Sequence, residues 1–129
     1  MVKDHLTDEM KMSGVALIRK MDEFGLRPDA ALYLYDGESE AWKLVIAEEQ
    51  MEKSGPREGY RQTQKLLHQF AEEIKGLSLG DISLRAPGSR IVAALSHSLK
   101  TVPCISGVRL KDYGANGTLV KDVYIYRLP

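Results

Sequence analysis

One cysteine, Cys104, occurs in 129 residues. A single thiol closes no intramolecular disulfide, and Cys104 sits in no zinc-type spacing. Long apolar runs are missing as well. The longest are a few residues, well short of the ~20 that a membrane-spanning helix needs, so no membrane partner is expected. Charge of one sign is absent too: 18 Lys plus Arg face 18 Asp plus Glu. Dedicated nucleic-acid binders carry a basic excess, because phosphate contacts gain affinity by releasing counterions, so this balance argues against nucleic acid as a partner. A net charge of zero also gives little colloidal repulsion, which favours self-association. Phosphate-cradling loops are lacking, since GLSLGD and APGSR hold neither a Walker lysine nor the GxGxxG spacing. The opening MVKDHLTDEM has no apolar signal region, which makes a cytoplasmic protein the expectation.

What is present suits one core. Hydrophobic residues make up 43% and charged residues 28%, and the length predicts a single α+β domain over 1–129. Thr7 is a good N-cap, with Asp8 and Glu9 on the first turn, where the helix dipole favours acids. Met10, Gly14, Leu17, Ile18, Met21 and Phe24 then recur at helical spacing as one apolar face, and Gly25 and Pro28 stop the helix. Residues 30–35 and 41–48 predict a hairpin around the polar loop DGESE. Trp42, Leu44 and Ile46 share one face, and Lys43, Val45 and Ala47 the other. Pro56 suits the first position of a second helix, whose buried stripe is expected to be Tyr60, Thr63, Leu67, Phe70 and Ile74, with Gly76 at its end. Arg61, Gln62, Lys65, Gln69, Glu72 and Glu73 read as its solvated side.

A short strand at 81–86 follows. Ser89 is expected to cap a third helix that buries Ile91, Leu95 and Leu99. A closing hairpin turns at Asn116-Gly117, a strong type I′ signal. The order is α-β-β-α-β-α-β-β. Hairpins require antiparallel pairing and the strand-helix-strand connections allow parallel pairing, so a mixed, mainly antiparallel sheet of about five strands with three helices is expected.

The densest chemistry lies at the end of the first hairpin. Pro28-Asp29 opens one strand, while Glu48 and Gln50 close the other, on one face of it by their spacing of two. If the turn is Gly37 to Glu40, Asp36 pairs with Ala41 and Asp29 falls opposite Glu48. Together with the helix from Pro56, this hairpin is similar to the core of the PD-(D/E)xK nucleases. Their paired carboxylates hold Mg²⁺ against the scissile phosphate, and their lysine positions or activates the water. The resemblance implies Mg²⁺ ligation by Asp29 and Glu48 and a catalytic set of Asp29, Glu48 and Gln50. The chain departs from the pattern at Gln50, which stands where the family has lysine. Lys53 and Lys43 are the nearest substitutes, and Lys43 points to the opposite face. The competing interpretation makes Asp29 a turn residue and Glu48-Glu49 a solvated strand end.

Ser96-His97-Ser98 lies in a helix, where adjacent side chains point ~100° apart and do not face each other. Nothing marks an orienting acid or an oxyanion site beside it. His5, His68 and His97 lack metal-ligand spacing. Six tyrosines against two phenylalanines suggest amphipathic strand faces. Tyr124 and Tyr126 are the interface candidates: were their strand an edge, it could pair with a partner or with a second copy. The resulting expectation is a non-enzymatic, cofactor-free accessory or regulatory module acting through protein contacts, in a homodimer or with another protein. The alternative is a divergent or inactive nuclease-like domain that uses Asp29, Glu48 and Mg²⁺.

Overall fold

A computed structural model describes residues 5–49, 53–98, 107–115 and 118–129. The elements are α1 (Asp8–Glu23), β1 (Ala30–Asp36), β2 (Ala41–Ala47), α2 (Pro56–Gln69), a 3₁₀ turn (Leu79–Asp81), β3 (Ile82–Arg85), α3 (Arg90–Ser98), β4 (Val108–Ala115) and β5 (Thr118–Arg127). This is the expected α-β-β-α-β-α-β-β order. The five strands form one mixed sheet in the order β3-β2-β1-β5-β4. Only β2 and β3 pair in parallel, and α2 makes the crossover between them. β5 lies between β1 and β4, so it is not an edge.

The two faces of the sheet follow the period-two pattern. Ala31, Tyr33, Trp42, Leu44 and Ile46 point to one face and pack against Leu17, Ile18 and Met21 of α1 and Leu66 of α2. Ala30, Leu32, Val45 and Ala47 point to the other, against Ile91, Val92 and Leu95 of α3. Both faces being covered explains why β2 is apolar on both sides.

Local chemistry fixes the ends of these elements. Thr7 caps α1 by accepting the Met10 amide at 3.1 Å. Between β1 and β2, the Asp36 carboxylate accepts from Ser39 Oγ at 2.9 Å and from the Glu38 amide at 3.0 Å. These two bonds hold Asp36 below the usual carboxylate range, the Ser39 bond most. The pairing of Asp36 with Ala41 therefore matches the register read from the sequence. Along β5 the pairing with β1 slips by one residue between Ala31 and Leu32. This bulge moves Leu128, rather than Arg127, onto the face of Val123 and Ile125.

Three expectations change. α2 ends at Gln69 and not near Gly76, because Phe70 leaves helical geometry and the chain continues as turns. The buried residues of α2 are Gly59, Thr63 and Leu66, one position back from the expected Leu67. Ser89 precedes α3, yet its buried hydroxyl has no hydrogen-bond partner and so caps nothing. Leu99, Cys104 and Asn116-Gly117 lie outside the described residues.

Candidate functional site

The end of the β1–β2 hairpin comes first, because the sequence puts its carboxylates there. The Asp29 amide donates to the Ala47 carbonyl at 2.8 Å, directly beyond the Ala30–Ala47 pair. The ladder pairing ends at Ala30–Ala47, and the Asp29 bond goes to Ala47 rather than Glu48, one residue off that register, so Asp29 and Glu48 do not form a ladder pair. The Glu48 amide donates to Arg85 O at 3.1 Å and so continues the parallel ladder to β3. Glu48 is 1% exposed, and among the described residues neither carboxylate oxygen has a hydrogen-bond partner. It is not a solvated strand end. Burial alone pushes its carboxyl up to about 7. Asp29 is half-buried and lines a surface depression with Asp22, Arg27, Pro28 and Arg127. There Arg127 grips Asp22 through both carboxylate oxygens, at 3.0 and 2.8 Å, and donates to Pro28 O at 3.1 Å.

These residues fit a hydrated Mg²⁺ poorly. Mg²⁺ keeps several waters, and a carboxylate with less than 1 Å² of accessible surface on each oxygen leaves them no room. No group of three His, Cys, Asp or Glu able to hold a metal occurs among the described residues. The substitute lysines are engaged elsewhere: Lys53 pairs with Glu49 at 3.1 Å, and Lys43 donates to Gly80 O at 2.8 Å. Gln50 lies outside the described residues.

The other candidates separate. Ser96 Oγ donates back to Val92 O at 2.7 Å, an intrahelical bond that occupies its proton. The side chains of His97 and Ser98 lie outside the described residues. Tyr126 is 1% exposed and donates to Lys11 O at 2.7 Å, packed so tightly under α1 that a Cβ on Gly14 would strike its hydroxyl. It is a packing residue. Tyr124 is half-buried, edge-on to Tyr126 at 5.2 Å, with Lys11 Nζ 4.9 Å above its ring.

One open feature went unread in the sequence. Phe24 closes the apolar periodicity of α1, yet it is 54% exposed. It stands 5.7 Å from Phe70 at the mouth of a groove of about 740 Å³ between the end of α1 and α2. Phe24, Leu26 and Leu66 supply its apolar part. Arg61, Lys65 and His68 line its α2 side, with Gln62, Gln64 and Gln69 between them. The signal for it was the spacing of Arg61, Lys65 and His68 at i, i+4 and i+7, which places all three on one helix side.

No family model, curated protein or solved structure matches the chain.

Proposed function

We propose that this chain is a non-enzymatic accessory or regulatory module that acts by holding another protein. The observation that supports this most is the open groove headed by Phe24. A large aromatic side chain more than half in water, beside two further apolar residues and a polar rim, is the anatomy of a protein contact. The test is affinity purification of the tagged chain from its native cells, beside a Phe24→Asp variant whose circular dichroism matches the parent. A protein retained by the parent in stoichiometric amount and lost by the variant supports the reading. Identical retention by both removes it.

The second reading, a divergent or inactive nuclease-like domain, draws on the two carboxyl residues at the end of the β1–β2 hairpin, Asp29 and Glu48. A Mg²⁺ titration separates the two. A saturable rise in melting temperature that Glu48→Gln abolishes would favour the nuclease-like reading, and a flat response would remove it.

A further inference from the structure

We infer that the groove between the end of α1 and α2 receives an amphipathic helix whose polar flank is acidic. This rests on the protein-holding reading and names the partner's chemistry.

The shape comes first. Arg61 to His68 covers eight residues of α2, about 10 Å or two turns. The apolar part adjoins that stretch: exposed Phe24 and half-buried Leu26, with buried Leu66 of the helix itself at its floor. A groove with a short apolar part beside one polar side of α2 suits a helix that presents apolar residues at i, i+3 or i+4, and i+7. Phe24 is then a bulky contact around which the partner's apolar residues close.

The charge gives the partner its sign. No acid lines the groove. The nearby Glu58 is clamped by Arg61 through two bonds, at 2.9 and 2.6 Å. Gln62 donates to the same carboxylate at 2.9 Å. The Arg61 pairing, and then Gln62, hold the Glu58 carboxyl down to about 2. On the far side of Phe24, Lys20 pairs with Glu23 at 3.3 Å and with Glu73 at 3.2 Å. These acids are compensated. Lys65 is exposed and has no carboxylate within ion-pair distance among the described residues. Arg61 is committed to Glu58, whereas Lys65 acts on Glu58 only through space and forms no ion pair with it, so Lys65 is a cation of the groove open to a partner. A carboxylate on the partner's flank satisfies Lys65, while the three glutamines tolerate either donor or acceptor.

The test is selection of a displayed library of helical peptides, about 16 residues long, on the intact chain. Winners should carry Asp or Glu beside the apolar stripe. They should lose about tenfold or more in affinity on Lys65→Glu and recover on that variant when their own acid is changed to lysine. If winners are basic or neutral and ignore Lys65→Glu, yet fail on Phe24→Asp, the acidic partner is wrong while the groove still holds a protein. If no winner responds to Phe24→Asp, both fall. A single-stranded oligonucleotide that binds in place of every peptide, and is lost on Lys65→Glu, would overturn the proposal in favour of nucleic acid.

Discussion

Glu48 carries the most demanding position in the chain. Its carboxyl is buried without a hydrogen-bond partner among the described residues, and burial raises it from the ordinary 4.5 to about 7. A raised carboxyl pKa reverses the usual acid dependence. The folded chain holds this proton more tightly than the unfolded chain does. The stability it contributes is full below pH ~4.5 and is lost as pH rises through 7, a span on the order of 3 kcal/mol. Urea unfolding at pH 5 and pH 8 should therefore show a parent that weakens with rising pH and a Glu48→Gln variant whose dependence is flatter. Equal slopes in both would contradict the burial argument. Gly14 tests packing at the same scale. A methyl there meets the Tyr126 hydroxyl and ring, so Gly14→Ala should cost roughly 1–3 kcal/mol despite alanine's better helix propensity. Thermal unfolding checks it, and an unchanged midpoint would show that Tyr126 moves freely.

At the scale of elements, the hairpin was legible because its cause is local. Asp36, Gly37 and Ser39 specify the turn, and period-two alternation specifies the faces. Asp36→Ala should accordingly loosen that turn and lower the unfolding midpoint, with an unchanged midpoint showing that the Ser39 and Glu38 bonds are dispensable. The strand order was not legible. That β5 inserts between β1 and β4 is a non-local choice, and its apolar pattern fits an inner or an outer strand equally well. The same limit applies to α2. Leu66 and Leu67 are adjacent, so periodicity alone left the buried one ambiguous until α1 was placed against it. Phe24 misled for the same reason. It falls in phase with the buried face of α1, but the helix ends there and no element among the described residues covers it. The sequence carried the hairpin register from Asp36–Ala41 to Ala30–Ala47, but not the placement of the two carboxylates beyond it. The sealed environment of Glu48 could not be read, because it depends on what packs around the end of the sheet.

At the scale of the molecule, formal neutrality and scattered ion pairs leave no dominant field, and recognition falls to shape and to a few residues. Among the described residues, the Phe24 groove and the outer side of α1, where Met12, 72% exposed, stands beside Val15, Ala16 and Tyr124, both present exposed apolar side chains. The edge strand β4 is less inviting, since Arg109, Lys111 and Asp112 place charge along it. If the partner is a second copy, light scattering should show mass rising with concentration and Phe24→Asp should hold it at the monomer. A monomeric mass throughout would leave a different protein as the occupant. The most direct measurement is amide hydrogen exchange of the intact chain with and without the protein it retains from its native cells. Protection should gather at residues 24–26 and 61–69, with the β-sheet unchanged. Protection centred on β4 or on the outer side of α1, with the groove still exchanging, would contradict the groove as the working surface.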